Sequence, residues 1–134
     1  MGFNFDKISI ERFLDNITDM KISTNIDISD IIKLNPGILK TKEEILGVKF
    51  NYIIDYQENI AKIELAGKIL LALEPKQAKE VLKQWDDKKV PDEFRITLFN
   101  FIFRKANIKA IQLEDEMNLP IHIPLPKIGK SQDK

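Results

Sequence analysis

Residues 91–117, PDEFRITLFNFIFRKANIKAIQLEDEM, constrain the fold more than any other stretch of this chain. Pro91 suits the first position of a helix, where its missing N–H needs no partner, and Asp92 and Glu93 place negative charge on the positive end of the helix dipole. At about 100° per residue, Glu93, Thr97, Asn100, Arg104 and Asn107 share one narrow sector. Phe94, Ile96, Leu98, Phe99, Phe101, Ile102 and Phe103 occupy nearly everything else. A helix apolar almost all round must be covered on more than one side, so its first half needs two coverings. From Ala106 the apolar set narrows to Ala106, Ala110, Leu113 and Met117. The second half reads as a helix on a sheet, with Glu114, Asp115 and Glu116 on its wet face.

Asn118 is the expected stop, because asparagine tolerates the left-handed conformation that ends helices. Beyond it Pro120, Pro124 and Pro126 forbid helix and remove backbone donors, which leaves an extended segment able to pair only at an edge. Leu119, Ile121, Ile123, Leu125 and Ile128 make that segment apolar, a natural lid over the second face of the helix.

Something must lie beneath the helix, and the earlier chain supplies strands. Val48, Phe50, Tyr52, Ile54 and Tyr56 alternate strictly; after the break Gln57-Glu58-Asn59, so do Ile63, Leu65, Gly67, Ile69 and Leu71. Residues 46–73 therefore read as a long antiparallel hairpin, in which Gly67 marks a bulge or a close backbone approach. Phe3 and Phe5 alternate in one phase and Ile8 and Ile10 in the other, the pattern of a strand with a bulge near Asp6 and Lys7. Residues 21–28 form another strand, with Ile22, Thr24, Ile26 and Ile28 on one face and a wet opposite face. Asn35-Pro36-Gly37 fits a type II turn. Thr41-Lys42-Glu43-Glu44 fits a capping box, but the alternation after it favours strand. Residues 75–85 form a short amphipathic helix on Ala78, Val81, Leu82 and Trp85. The expected fold is α+β: an antiparallel meander of about four strands packed by a short helix and one long C-terminal helix, ending in a proline-rich extended segment. Residues 1–128 make one domain, and 129–134 a disordered polar tail.

Composition narrows the function. The 134 residues suffice for a core. With no cysteine there are no disulfides, thiolate metal sites or cysteine nucleophiles. A formal net charge of +0 argues against a general nucleic-acid binder, which needs a basic surface. The N-terminal stretch lacks a signal-peptide core, Asp6 departs from the myristoylation motif, and no run approaches the roughly 20 apolar residues of a membrane span. His122 is the single histidine and reads as structural. An acidic trio on consecutive helical positions points in different directions and reads as a solvated face rather than a cation site. Neither a phosphate-cradling glycine pattern nor a metal motif is present, so no catalytic, cofactor or metal residue is assigned.

The order of strand meander, long helix and the final LPIHIPLPKI run resembles the protein-export chaperone SecB and its archaeal relatives. The match lies on Pro91, the helix over residues 94–110, and the proline run at 119–128. The resemblance implies a cytoplasmic oligomer that holds non-native polypeptides in apolar grooves without ATP. This chain lacks the family's strong acidity and has an extra helix at residues 75–85. The expectation is a non-enzymatic polypeptide-binding or adaptor protein whose partners are protein or unfolded polypeptide and a second copy of itself. It uses neither nucleic acid nor membrane insertion. Its binding surface is expected from Tyr52, Tyr56, Phe94, Leu98, Phe101, Ile102, Ile121 and Ile123. The alternatives are a structural subunit with a fixed partner, or a small enzyme with a carboxylate site.

Overall fold

The computed structural model describes residues 2–14, 21–34, 43–57 and 59–124. Four strands, β1 (Gly2–Arg12), β2 (Ile22–Leu34), β3 (Glu44–Tyr56) and β4 (Ala61–Leu73), precede two helices, α1 (Pro75–Asp86) and α2 (Asp92–Glu116). All strand pairs are antiparallel, in the order β1-β4-β3-β2. Hence β2, β3 and β4 form the meander, and β1 crosses back to lie beside β4. The turn at 35–37, Thr41 and Lys42 of the capping-box reading, Leu125, Pro126, Ile128 and the 129–134 tail lie outside the described residues.

Alternation along β3 and β4 decides which face is the core. Leu46, Val48, Phe50, Tyr52, Ile54 and Tyr56 point one way, paired across the ladder with Leu71, Ile69, Gly67, Leu65, Ile63 and Ala61; all twelve are buried. The opposite face carries Lys49, Asp55 and Lys62 in water. Pairing by register places residues on a shared face because side chains alternate with period two.

Gly67 is the position where the sheet could accept no other residue without shifting. A Cβ built there would lie 2.2 Å from the carbonyl oxygen of Asn4 on β1, since β1 bulges between Phe5 and Lys7 directly opposite. The close approach seats the Phe3 and Phe5 rings 5.3 and 6.4 Å from that of Phe50, with Phe101 of α2 5.7 Å from Phe3.

A second bulge, between Ile28 and Asp30, shifts the register of β2. Its alternation changes phase there, so the strand continues to Leu34, six residues beyond the span expected from sequence.

On the core face, α2 buries Leu98, Ile102, Ala106, Ala110 and Glu114, one residue every four. Because four residues turn slightly more than a full turn, this row drifts round the helix, and different flanks meet the sheet along its length. The helix ends in a Schellman turn: Asn118 takes φ 54°, its N–H bonds to Asp115, and the Leu119 N–H reaches the Glu114 carbonyl at 2.8 Å. The turn sends Leu119 into the core. The same device, with Lys88 at φ 58°, closes α1. There Ala78 and Val81 face the core, and the Trp85 indole N–H donates to Asp30 at 3.2 Å.

The proline-containing segment covers less of α2 than sequence implies. Its described part packs beside the C-terminal end of the helix, whereas Ile96 and Ile108 stay 57% and 56% exposed.

Candidate functional site

Two features stand out on the helix-covered side of the sheet. The first is a polar cluster within the core, at the end of α2. Tyr52 and Tyr56 stand four residues apart on the inward face of β3; Asn107 and Glu114 stand two turns apart on α2; His122 arrives from the extended segment.

Glu114 and the His122 side chain are wholly buried. Nδ1 of His122 lies 2.9 Å from each Glu114 carboxyl oxygen, and its backbone N–H donates to Oε2 at 3.2 Å. On the other side of the ring, Nε2 lies 2.8 Å from Oδ1 of Asn107 and 3.3 Å from the Tyr52 hydroxyl. Tyr52 donates to the same Oδ1 at 2.7 Å. The Tyr56 hydroxyl sits between Glu114 Oε2 and the Pro120 carbonyl, 2.7 Å from the latter. No buried side-chain polar atom among the described residues lacks a partner. That completeness explains how a carboxylate survives in an otherwise apolar core, where an unpaired charge is strongly disfavoured.

Neutral phenols suit this setting. Burial, aided by the Glu114 charge, pushes the Tyr52 hydroxyl up to about 12. Burial and the hydrogen bond to Glu114 push Tyr56 higher still.

The second feature is open. A groove of about 1020 Å³ lies between the β2 edge and the elbow joining α1 to α2. Ile28, Trp85, Val90 and Phe99 give it apolar lining, and Lys88, Lys89 and Arg95 with Asp27 and Asp92 line it with charges of both signs. The Lys88 ammonium stands 4.8 Å from the Trp85 ring centroid. A smaller cleft of about 700 Å³, between α1 and the start of α2, is lined by Leu71, Leu73, Val81 and Phe94.

The residues expected to form a binding surface therefore separate. Tyr52, Tyr56, Leu98 and Ile102 are core residues at 2% exposure or less, so they offer no surface to a partner in this arrangement. Their period on strand or helix is that of an inward face, which apolarity alone cannot distinguish from a binding face. Phe94, Phe101 and Ile123 are half-buried and Ile121 is exposed. Phe94 lines the smaller cleft and Phe101 packs on Phe3. Glu114 reverses its expected place on the wet helix face, unlike its exposed neighbours Asp115 and Glu116. Its position at the end of the four-residue row from Leu98 was the available signal. Asn107, which the helical projection puts in the polar sector, is half-buried and hydrogen-bonds toward Tyr52 and His122. Among the described residues no group of three or more acidic or histidine side chains is placed to hold a metal ion, and no helix is long and apolar enough to cross a membrane.

No protein-family model and no curated protein matches the chain. Among solved structures it is similar to the Mycobacterium tuberculosis Rv1957 SecB-like chaperone, in complex with a ChAD peptide from the Rv1956 HigA1 antitoxin. The likeness covers 98% of this chain and 91% of that one, with a TM-score of 0.55 and 8% sequence identity. At that identity the likeness is one of fold alone.

Proposed function

We propose that this protein binds non-native or extended polypeptide without nucleotide, as a cytoplasmic, self-associating holding chaperone of the SecB-like kind. The observation that carries the reading is the open groove at the β2 edge. It joins an apolar lining to the edge of a sheet, where a partner's backbone finds hydrogen-bonding groups and its side chains find Ile28, Trp85 and Phe99. The fold shared with a peptide-bound SecB-like chaperone supports the reading. Self-association is supported by Ile96 and Ile108, both more than half exposed on α2.

The test is suppression of aggregation. Wild-type protein at near-equimolar ratio should slow light scattering from a chemically unfolded client, and Phe99→Asp should lose that effect while keeping its helical and strand content. A wild-type protein that leaves the aggregation rate unchanged would refute the reading.

A further inference from the structure

The buried cluster holds main-chain atoms of the extended segment from two elements. Tyr56, from the sheet, addresses the carbonyl of residue 120; Glu114, from the helix, addresses the N–H of residue 122. Resting on the reading of this protein as a polypeptide binder, we propose that Tyr56 and Glu114 form a notch for an extended Pro-x-His peptide. The chain's own residues 119–124 fill it in cis, and a peptide in trans takes it when that segment lifts.

Three properties of the segment specify the ligand. Residue 120 is proline, which offers its carbonyl to Tyr56 and fixes its own φ in the extended range that the segment follows. Residue 121 points outward, with Ile121 at 36% exposure, so this position tolerates variation. Residue 122 must carry a ring with nitrogens on both sides, because Glu114 and Asn107 face it from opposite directions at 2.9 and 2.8 Å. A side chain without those nitrogens leaves Glu114 Oε1 without a donor, whereas Oε2 keeps Tyr56 and the residue 122 N–H, and Asn107 Oδ1 keeps Tyr52.

The attachment is also suited to exchange. Residues 119–124 belong to no helix or strand, and the hydrogen bonds at residues 120 and 122 come from side chains rather than from a ladder. Lifting it withdraws Leu119 and the His122 ring from the core while the sheet beneath remains paired. At its root Arg12 donates to the carbonyls of Met117 and Asn118 at 2.8 and 3.4 Å, so the lifting part begins beyond Asn118. The notch is distinct from the groove at the β2 edge, which Trp85 lines.

The experiment uses the full-length chain and a fluorescently labelled peptide of sequence Asn-Leu-Pro-Ile-His-Ile-Pro, together with its alanine-for-histidine counterpart. In the wild type the tethered segment competes at high effective concentration. His122→Ala removes its anchor and empties the ring site. The variant should bind the histidine peptide at least about tenfold more tightly than wild type, and the alanine peptide should gain nothing. A folded variant that binds no better than wild type, or that takes both peptides equally, overturns the proposal. Should the variant not fold, hydrogen exchange on the wild type decides. The His122 amide exchanging well before those of Leu98 and Ile102 supports a segment that lifts by itself, and exchange only with the core excludes one. Client binding at Trp85 is measured separately, so failure of the chaperone reading and failure of the notch give different patterns.

Discussion

Raising the pH should destabilise this protein through Tyr52. Tyr52 is 2% exposed, and its hydroxyl is pushed from 10.0 up to about 12 by burial first and the charge of Glu114 second. A raised folded-state value means that the native protein holds the proton more tightly than the unfolded chain does. The stabilisation is complete below the unfolded value near 10 and is lost progressively as the pH climbs toward 12. At about pH 11.5 the difference amounts to about 2 kcal/mol at most, and to about 1 kcal/mol if water reaches the hydroxyl as the core loosens. The informative quantity is the difference between wild type and a variant that lacks the hydroxyl. Urea denaturation of wild type and Tyr52→Phe would be compared at about pH 8 and about pH 11.5. The variant gives up the bond to Asn107, worth about 1 kcal/mol, and is less stable near neutrality. Between the two pH values, however, it should lose about 1 to 2 kcal/mol less than wild type. Equal losses would mean that the Tyr52 hydroxyl is not held in a desolvated site, and the account of the cluster would be wrong.

Other substitutions probe the remaining parts of the structure. Tyr56→Phe leaves Glu114 and the Pro120 carbonyl without their shared donor and should cost about 1 to 3 kcal/mol by denaturant titration. Ile102→Ala, at a fully buried position on α2, should cost about 2 to 5 kcal/mol. Gly67→Ala drives a methyl into the Asn4 carbonyl and should destabilise by about 1 to 3 kcal/mol, with increased amide exchange confined to β1 and β4. Ile96→Lys, on the exposed side of α2, should change stability by less than about 0.5 kcal/mol while reducing the solution mass measured by light scattering; an unchanged mass would remove this face from any interface.

The sheet was legible because β3 and β4 alternate without interruption and each buries one complete face. The β1 bulge announced itself as a change of phase between Phe5 and Ile8, and the structure places it between Phe5 and Lys7. The bulge in β2 hid the strand's continuation, because Ile31 and Ile32 side by side obscure any alternation. Which strand β1 would join was not readable: its inward residues suit either edge of the sheet, and tertiary packing around Gly67 decides. Asn118 gave the end of α2 correctly for a local reason, since few residues besides glycine adopt φ 54° cheaply. Pro91 stands one position earlier than expected, as the residue preceding the helix.

The polar cluster was harder to see. His122 reads as structural from sequence, and its partners come from β3 and from two turns of α2, positions that only the fold brings together. Glutamate among other acids on a helix normally signals solvent, yet Glu114 continues the row begun by Leu98. The tyrosines looked like a binding face because an inward face and an interface have the same composition; the hydroxyls, each needing a partner when buried, were the distinguishing clue. The groove at the α1–α2 elbow had no sequence signature, as its lining residues come from a strand, a turn and two helices.

The chain's single tryptophan lies in that groove, which allows its occupancy to be read directly. Titrating the wild-type protein with a reduced, tryptophan-free unfolded client while following Trp85 emission tests the central claim. A saturable change in intensity and wavelength, reversed by excess unlabelled extended peptide and accompanied by slower client aggregation, is the predicted result. Emission that stays constant while the client aggregates at its own rate would contradict polypeptide binding in the groove.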